Sequence, residues 1–336
     1  MASFLSKNEF PVDGRIVLIT GGSKGLGLNA ARQLAGKGAS VVIVARDTSH
    51  LKTATSFISE GARRPDSQRF HYISADVTVA SECARVVDET VKWAGSPPDI
   101  VWCCSGSAHP TLFKDTPIEQ FQTMMDSNYF SCVYMAHAIL NVWLGPAADG
   151  LSSSGGKPPL ARHLVFTGSF VSFYSFAGFT PYSPSKAAVR ALSDSLSQEM
   201  NLYAAANPHL PPIRVHTVFP ATMPTQSLED ENRFKTDLTK SLEEGDQILE
   251  PAECARRAIA GLESGEELVP TSMIIRLVMA SVLGGTIRGG FWKGLVNTIL
   301  GWVTMVVMIF IRWEMDVKVK KWGQKHGSSG MLKKEN

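Results

Sequence analysis

Short apolar runs alternate with amphipathic stretches along most of this chain. Residues 15–20 (RIVLIT) and 39–47 (ASVVIVARD) are rich in β-branched side chains, which is typical of buried strands. Between them, residues 28–38 (LNAARQLAGKG) carry apolar side chains at helical spacing and end in glycine, which predicts a helix. The same alternation recurs as far as an amphipathic stretch at 251–265 (PAECARRAIAGLESG). The pattern predicts an α/β fold, a doubly wound parallel sheet in a single domain.

A glycine-rich turn, TGGSKGLG from Thr20 to Gly27, joins the first predicted strand to the first predicted helix. Glycine lets the backbone turn tightly and approach a pyrophosphate, while the helix N-terminus offers free N–H groups and the positive end of its dipole. A glycine turn framed by strand, helix and strand therefore predicts dinucleotide binding by a Rossmann-type unit. The residues expected to contact the dinucleotide here are Gly21, Ser23, Lys24, Gly25, Leu26 and Gly27.

The residue that closes the second predicted strand indicates which dinucleotide binds. An NAD site usually has an acid there for the ribose 2′-hydroxyl, whereas this chain has Arg46. Lys24 adds a second cation inside the glycine turn, and arginine grips a phosphate in bidentate fashion. Asp47 follows one position late. Two solvated surface cations are the alternative interpretation, but we expect NADPH rather than NADH.

Tyr182 and Lys186 stand four residues apart at the start of a later predicted helix, with Pro184 in its first turn. Residues at this spacing share a helix face, so the ammonium is expected near the phenol, where a positive charge favours the phenolate. Tyr182 is therefore a candidate acid/base. Ser169 ends the apolar run HLVFTGS, and its hydroxyl could polarise a carbonyl oxygen that Tyr182 protonates. Taken alone, a YxxxK pair is more often an ordinary helix face.

Composition narrows the classes of function. The 336 residues are 44% hydrophobic with a net charge of +2, and no broad basic stretch precedes the C-terminal tail, which argues against nucleic-acid binding. The five cysteines are scattered and odd in number, which favours reduced core thiols over a disulfide framework. They show no zinc-binding spacing, so no metal is expected. The N-terminus lacks the apolar region of a secretory signal.

From residue 12 to residue 265 the sequence resembles the short-chain dehydrogenases/reductases. The resemblance rests on several motifs in order: TGGSKGLG, Asp76-Val77, CCSG, Asn128, Ser169, Tyr182-x-x-x-Lys186 and PATMPT. It implies that Tyr182 donates a proton, that Ser169 orients the carbonyl, and that Asn128 holds a proton-relay water. Lys186 would lower the pKa of Tyr182 and bind the nicotinamide ribose.

The resemblance also implies further cofactor contacts and departs from the family pattern at three places. The additional cofactor positions are Asp76, Val77, Gly106, Pro220 and Thr225, besides Tyr182 and Lys186. The usual Asn-Ala-Gly is Cys104-Ser105-Gly106, the usual Pro-Gly is Pro220-Ala221, and the usual Ser-Ser is Gly168-Ser169. Ser105 and Ala221 are small enough to lie beside a cofactor, so the departures concern cofactor contacts more than the chemistry.

The C-terminal part is apolar and then basic. Residues 272–287 are apolar apart from Arg276, and residues 295–311 form an uncharged run whose helix would span roughly 26 Å, just short of a bilayer core. A buried or dimer-interface helix is the alternative interpretation. We expect instead a membrane-associated extension at 268–312, as a hairpin or re-entrant pair, followed by a basic cytosolic tail at 313–336.

These features lead to an expected place in the cell. Lys333-Lys334-Glu335-Asn336 at the end of the chain resembles the dilysine retrieval signal of the endoplasmic reticulum. We therefore expect a protein of that membrane whose catalytic domain, residues 1–267, faces the cytosol. Residues 222–250 are expected to form a mobile lid over its active site. The family resemblance also implies a homo-oligomer.

Five features together resemble the fungal 3-ketodihydrosphingosine reductases within this family: GGSKGLG, CCSG, the predicted helix in TPYSPSKAAVRALSDSL, the acidic segment 227–231 and the apolar C-terminal extension. This similarity implies NADPH-dependent reduction of a long-chain lipid ketone in sphingolipid synthesis. The acids Glu229, Asp230 and Glu231 of the predicted lid are then expected to attract the substrate amine. A membrane-bound reductase of a steroid or a 3-ketoacyl-CoA is the first alternative. A catalytically silent NADP-sensing protein is the second, and the complete catalytic set argues against it.

Overall fold

The computed structural model describes residues 8–145, 160–243 and 246–280, together with ten separate positions between 302 and 325. The strands are β1 Ile16–Thr20, β2 Ser40–Ala45, β3 Phe70–Ser74, β4 Ile100–Cys103, β5 Arg162–Thr167, β6 Ile213–Phe219 and β7 Leu268–Pro270. The helices are α1 Gly25–Gly36, α2 Thr48–Ser59, α3 Ala80–Ala94, α4 Ile118–Met125, α5 Ser131–Trp143, α6 Ser183–Ala206, α7 Gln226–Asn232, α8 Asp237–Leu242, α9 Pro251–Glu263 and α10 Met273–Ala280.

The seven strands form one parallel sheet in the order β3-β2-β1-β4-β5-β6-β7. Parallel neighbours need crossover connections, and here helices supply most of them. The strand order reverses direction between β1 and β4, which leaves a crevice at the carboxyl edge of the sheet. The predicted doubly wound sheet in a single domain is confirmed.

Helices cover both faces of the sheet, and each face has its own apolar core. Helices α1, α2 and α9 pack on one face, where Trp102 of β4 is fully buried. Helices α3, α5 and α6 pack on the other face, where Trp143 of α5 is buried to the same degree. Strands β4 and β5 are buried throughout because both of their faces are covered, which explains their continuous apolar runs.

Two histidines pair inside the sheet, at the edge away from the crevice. His163 of β5 and His216 of β6 are 0% and 1% exposed, and Nδ1 of His163 lies 3.0 Å from Nε2 of His216. Nδ1 of His216 lies 2.9 Å from the carbonyl oxygen of Glu266. The rings of Phe10 and His163 pack in a T-shaped arrangement, with 4.7 Å between centroids. Nε2 of His163 has no hydrogen-bond partner in the described part of the chain.

The sheet continues beyond the end of the predicted catalytic domain at residue 267. Strand β7 pairs with β6, Thr217 opposite Leu268, and α10 follows it directly. The predicted membrane segments fall largely outside the described residues, since only 272–280 and isolated later positions are described. Within the described ranges, no helix has both the length and the apolar character needed to cross a bilayer.

Candidate active site

A cleft of about 820 Å³ opens at the carboxyl edge of the sheet, where the strand order reverses. Strand ends, the glycine turn, the start of α6 and the segment after β6 form its walls. All four predicted catalytic residues and every predicted cofactor-binding residue line this one cleft. Residues that are far apart in the chain are therefore brought together as the motifs predicted.

The glycine turn has the geometry of a phosphate cradle. Gly21 has a φ of +67°, and a Cβ there would lie 2.7 Å from the backbone nitrogen of Ser105. A Cβ on Gly27 would lie 2.5 Å from the carbonyl oxygen of Gly21. Lys24, which precedes α1, makes no capping hydrogen bond with its side chain among the described residues. Gly25, Leu26 and Gly27 in the first turn of α1 line the cleft, and the first N–H groups of a helix have no intrahelical partner, so the turn fits a dinucleotide pyrophosphate.

The far end of the cleft carries the cations expected to select the dinucleotide. Lys24 and Arg46 are exposed on its wall, and neither forms an ion pair with a described carboxylate. Asp47 is occupied as the cap of α2, where it accepts hydrogen bonds from His50 N at 2.9 Å and Ser49 Oγ at 2.6 Å. His50 also lines this end, which the sequence analysis did not predict.

Asp76 and Val77 follow β3 and line the same end of the cleft. Partial burial disfavours the Asp76 carboxylate, but hydrogen bonds from Thr78 N at 3.0 Å and Thr78 Oγ1 at 2.7 Å lower its pKa overall. Arg46 contributes in the same direction. The carboxylate is therefore held ionised in a fixed orientation at the predicted adenine position.

Tyr182 and Ser169 form the centre of the cleft. Ser169 Oγ accepts a hydrogen bond from Val171 N at 3.4 Å, and Ser169 caps a short 3₁₀ turn at 170–172 through a reciprocal pair of bonds with Ser172. Burial and the charge of Glu231 raise the pKa of Tyr182, whereas the nearby Ser169 side chain acts in the opposite direction. The phenol is therefore held in its protonated form, ready to donate a proton.

Lys186 lies beneath Tyr182, and its ammonium contacts a strand carbonyl. Its Nζ donates to the carbonyl oxygen of Thr167 at 2.9 Å and lies 5.8 Å from the centroid of the Tyr182 ring. The side chain is 4% exposed, and burial lowers its pKa. The spacing placed both residues on one face, but the strand carbonyl holds the ammonium.

Asn128 lies in a π turn, Asp126–Phe130, between α4 and α5. Its amide nitrogen donates to the carbonyl oxygens of Ser107 at 2.9 Å and Met124 at 3.0 Å, and its Oδ1 accepts from Ser107 N at 3.2 Å. A Cβ on Gly106 would lie 2.5 Å from Oδ1. The side chain therefore fastens the segment after β4 against the helix, and π turns of this kind often occur at functional sites.

The departure at Gly168 has a steric reason. A Cβ at this position would lie 2.6 Å from the ring of Phe219, so a serine here would require that ring to move. Ser105 and Ala221 both line the cleft, as their small size suggested. Ala221 is anchored by its backbone nitrogen, which donates to Thr271 Oγ1 at 2.8 Å.

The predicted lid, residues 222–250, carries α7 and α8, and its two ends are joined at the cleft. Thr222 pairs with Ile248 as an isolated bridge, and Leu249 N donates to Thr222 O at 2.9 Å. Thr225 caps α7 and faces Gly25 across the cleft. Helix α8 docks through Thr239, whose hydroxyl donates to the carbonyl oxygen of Ala177.

One of the three lid acids expected from the sequence faces the cleft, and two others do not. Glu231 lines the cleft, whereas Glu229 and Asp230 are exposed on the outer side of α7. Two further acids from the end of the lid, Glu243 and Asp246, also line the cleft. Glu243 and Asp246 are distant from α7 in the chain, so the sequence pattern did not predict that they line the cleft together with Glu231.

A buried lysine, Lys235, forms ion pairs with two of these acids. Nζ of Lys235 lies 3.1 Å from Glu231 and 2.6 Å from Glu243, and its side chain is 2% exposed. Burial raises the pKa of Glu231, and Lys235 partly offsets this effect. Asp246 lines the same cleft without an ion pair to Lys235, so acidic side chains outnumber this one buried ammonium.

The remaining wall near Tyr182 is apolar. Phe176 and Phe179 come from the segment before α6, and Met223 and Leu228 come from the lid. Ile274 and Ile275 of α10 join them, so a helix beyond the predicted catalytic domain contributes to the site. An apolar wall beside acids and a proton donor suits an amphiphilic substrate with a carbonyl group.

Comparisons with known proteins agree with this site. A family model described as short chain dehydrogenase matches residues 15–236. 3-Ketodihydrosphingosine reductase ksrA of Aspergillus fumigatus is 40% identical over 328 residues, which cover 95% of this chain and 88% of that protein. 3-Ketodihydrosphingosine reductase gsl-3 of Neurospora crassa is 39% identical over 97% of this chain and 87% of its own length.

Solved structures share the fold at low sequence identity. A short-chain type dehydrogenase/reductase from Mycobacterium marinum superposes with a TM-score of 0.59 at 22% identity, covering 77% of this chain and 95% of its own. A dehydrogenase/reductase from Sinorhizobium meliloti gives a TM-score of 0.59 at 20% identity with the same coverage, 77% and 95%. These likenesses support the architecture alone.

Proposed function

Because the chain belongs to the short-chain dehydrogenase/reductase family, we propose that it reduces the 3-keto group of 3-ketodihydrosphingosine to give dihydrosphingosine, with NADPH as reductant. Family membership makes the chain an oxidoreductase and implies a nicotinamide dinucleotide. The names of the relatives support the substrate. The observation that carries the proposal is the position of Tyr182 and Ser169 in one cleft, between a dinucleotide cradle and a pocket lined by acids and apolar side chains.

The residues of the cleft divide the reduction between them. When bound, the reduced dinucleotide supplies a hydride to the carbonyl carbon. Tyr182 donates its proton to the carbonyl oxygen, and Ser169 holds that oxygen by a hydrogen bond as negative charge develops. The Lys186 ammonium donates one hydrogen bond to Thr167 O, and its other two N–H groups can donate to a ribose hydroxyl. Asn128 fixes the segment after β4 that borders the nicotinamide position.

NADPH is proposed over NADH because of the charges at the adenine end. Lys24 and Arg46 are exposed cations on the cleft wall, and Asp47 is committed to capping α2. A 2′-phosphate would be bound by both cations, whereas a 2′-hydroxyl would find no free acid at the end of β2. Initial rates with NADPH and NADH at equal concentrations test this preference directly, and equal kcat/KM values for the two would refute it.

Glu231 is proposed to bind the ammonium group of the substrate. In this substrate the ammonium is on the carbon next to the ketone, and Glu231 is close enough to Tyr182 to raise the pKa of its phenol. One ion pair lost from a partly buried site costs about 1.5–3 kcal/mol, which corresponds to about 10- to 100-fold in kcat/KM. The acidic mouth also disfavours the phosphates of a CoA thioester.

The matched variants Glu231→Gln and Glu229→Gln test this role. Both lie on α7 and lose one charge, but only Glu231 faces the cleft. We expect Glu231→Gln to raise KM for the amino ketone and to spare an analogue in which hydroxyl replaces the amine, while Glu229→Gln changes neither. Equal KM values for the two variants would remove Glu231 from substrate binding.

The first experiment for the whole proposal is NADPH oxidation by membranes that contain the protein, with 3-ketodihydrosphingosine as substrate. Tyr182→Phe should lower turnover by about 10³-fold, because general-acid catalysis contributes 10²–10⁴-fold. NADPH binding by this variant, followed by fluorescence, should persist. Turnover only of a steroid ketone or a 3-ketoacyl-CoA would replace the substrate assignment. Binding of NADPH without turnover of any ketone would indicate a sensor.

We also propose that the C-terminal residues hold the protein on the endoplasmic reticulum membrane, with the catalytic domain in the cytosol and the chain in a homo-oligomer. The uncharged run at 295–311, the basic residues after it and Lys333-Lys334 support the location. Carbonate extraction and protease protection of the full chain test attachment and orientation. The retrieval signal is tested with an N-terminal fluorescent tag: the Lys333→Ser/Lys334→Ser variant should lose its localisation to the endoplasmic reticulum.

The homo-oligomer is tested by light scattering in detergent, which measures the molar mass of the complex and therefore the number of chains in it.

A further inference from the structure

Exposed apolar side chains gather around the substrate end of the cleft. We call them the apolar rim: Phe234, Leu238, Leu242, Ile248, Met273 and Ile274, which are between 48% and 66% exposed. Ile274 itself lines the cleft, Leu242 precedes the lining residue Glu243, and Ile248 follows the lining residue Gln247. The rim therefore borders the mouth through which a substrate reaches Tyr182.

Helix α8 shows that its apolar face is directed outward. Thr239 is fully buried and holds the helix against Ala177 and Gly178. Leu238 and Leu242, four residues apart on one face, are 51% and 49% exposed. An ordinary surface helix buries its apolar face and exposes its polar one. Here a threonine faces the protein, and leucines face outward.

We propose that the apolar rim lies on the surface of a phospholipid bilayer, so that the lipid ketone passes from the membrane between α8 and α10 directly into the cleft. This inference rests on the proposed function, which gives the enzyme a substrate with a long alkyl chain. It goes beyond C-terminal attachment because it assigns the face of the catalytic domain that meets the lipid.

Three observations favour a bilayer as the occupant. Patches of exposed apolar side chains around a binding mouth mark interaction sites. Helix α10 carries two rim residues, and the sequence that follows it leads to the uncharged run at 295–311. The described apolar positions of that later region are exposed as well, at 53–69%: Trp302, Val306, Ile309, Phe310 and Trp313. A second protein copy on the rim would instead close the mouth.

Fluorescent labels on the full-length protein test the orientation. Leu242→Cys and Leu160→Cys are matched, because both leucines are exposed but Leu160 precedes β5, at the opposite edge of the sheet. Each variant is labelled with nitrobenzoxadiazole and reconstituted into phosphatidylcholine vesicles, with the labelled parent chain as background. We expect at least a twofold emission increase at position 242 and quenching by doxyl-labelled lipids, with neither effect at position 160.

The outcomes separate this inference from the proposed function, since the label reports contact with lipid and requires no substrate. Equal responses at positions 242 and 160 would overturn the orientation even if the ketone is reduced. An emission increase at 242 that needs no vesicles and grows with protein concentration would show that a second copy covers the rim, which also overturns it. Lipid-dependent quenching confined to 242 supports it whatever ketone is finally identified.

Discussion

The buried histidine pair makes the stability of this fold depend on pH. A carbonyl oxygen only accepts hydrogen bonds, so Nδ1 of His216 carries the proton that is donated to Glu266 O. Nε2 of His216 is then the acceptor for Nδ1–H of His163, and the unpartnered Nε2 of His163 is unprotonated. A further proton on either ring would find no hydrogen-bond acceptor among the described residues. The positive charges of Arg15 and Arg214 also disfavour it.

The size of the effect follows from the pKa values. Burial lowers the pKa of His163 to about 2 and that of His216 to about 4, each from an ordinary value of 6.5. Between pH 7 and pH 5 the unfolded chain therefore takes up protons that the folded chain does not, and stability falls as pH falls. Each histidine contributes about 2 kcal/mol to this loss, so the pair contributes about 4 kcal/mol.

His163→Asn isolates one half of the effect, because an asparagine N–H can take the place of Nδ1–H and does not titrate. Urea unfolding of both proteins at pH 7 and pH 5, followed by fluorescence of the buried Trp102 and Trp143, gives the free energies of unfolding. We expect the variant to lose about 2 kcal/mol less than the parent chain between these pH values. His209→Asn, at an exposed position, should leave the difference unchanged.

The comparison is made between pH values within each protein, so any loss of packing in His163→Asn at pH 7 cancels. An equal pH dependence in the parent chain and in His163→Asn would refute the reasoning. It would mean that the folded protein accommodates the added proton, through a water molecule or a rotated ring, and that protonation of the pair does not destabilise the fold.

Gly27→Ala should weaken NADPH binding by about 10- to 100-fold in a fluorescence titration, because its Cβ would lie 2.5 Å from Gly21 O. Unchanged affinity would mean that the glycine turn moves to accommodate the methyl group. Arg46→Ser should raise KM for NADPH by about 10-fold and leave KM for NADH within a factor of two, since one charge-assisted contact to the 2′-phosphate is lost. Lys235→Met should lower the midpoint of thermal unfolding, because breaking a buried ion pair costs about 3–5 kcal/mol. In the double variant Lys235→Met/Glu231→Gln, part of that loss should return; no recovery would contradict the pairing.

The motif residues of the cleft were predictable because their positions follow from local structure. A glycine turn between a strand and a helix, or a pair such as Tyr182 and Lys186 at helical spacing, carries its geometry within a few residues. Parallel strands then bring their carboxyl ends to one edge, which is why Ser169 and Gly21 line the same cleft. The strand and helix periodicities were enough to establish this much of the fold.

Features that depend on distances across the fold were not predictable from patterns. The pKa of Tyr182 depends on burial and on Glu231, and the partner of Lys186 is a strand carbonyl rather than the phenol. The acids facing the cleft come from α7 and from the end of the lid, and only the position of α7 shows that Glu231, and not Glu229, lines the cleft. Strand β7 is only three residues long, too short for a periodic signal.

Because of the π turn at Asp126–Phe130, the orientation of Asn128 depends on the number of residues between α4 and α5. One residue of an α-helix corresponds to a rotation of about 100°, and the wider turn inserts such a step between α4 and α5. Deleting a single residue there would restore a regular helix and gain local regularity. It would also turn Asn128 away from Ser107 and release the segment after β4. A one-residue deletion would therefore make the helix more regular and the site less ordered, so the position of Asn128 depends on the number of residues between α4 and α5.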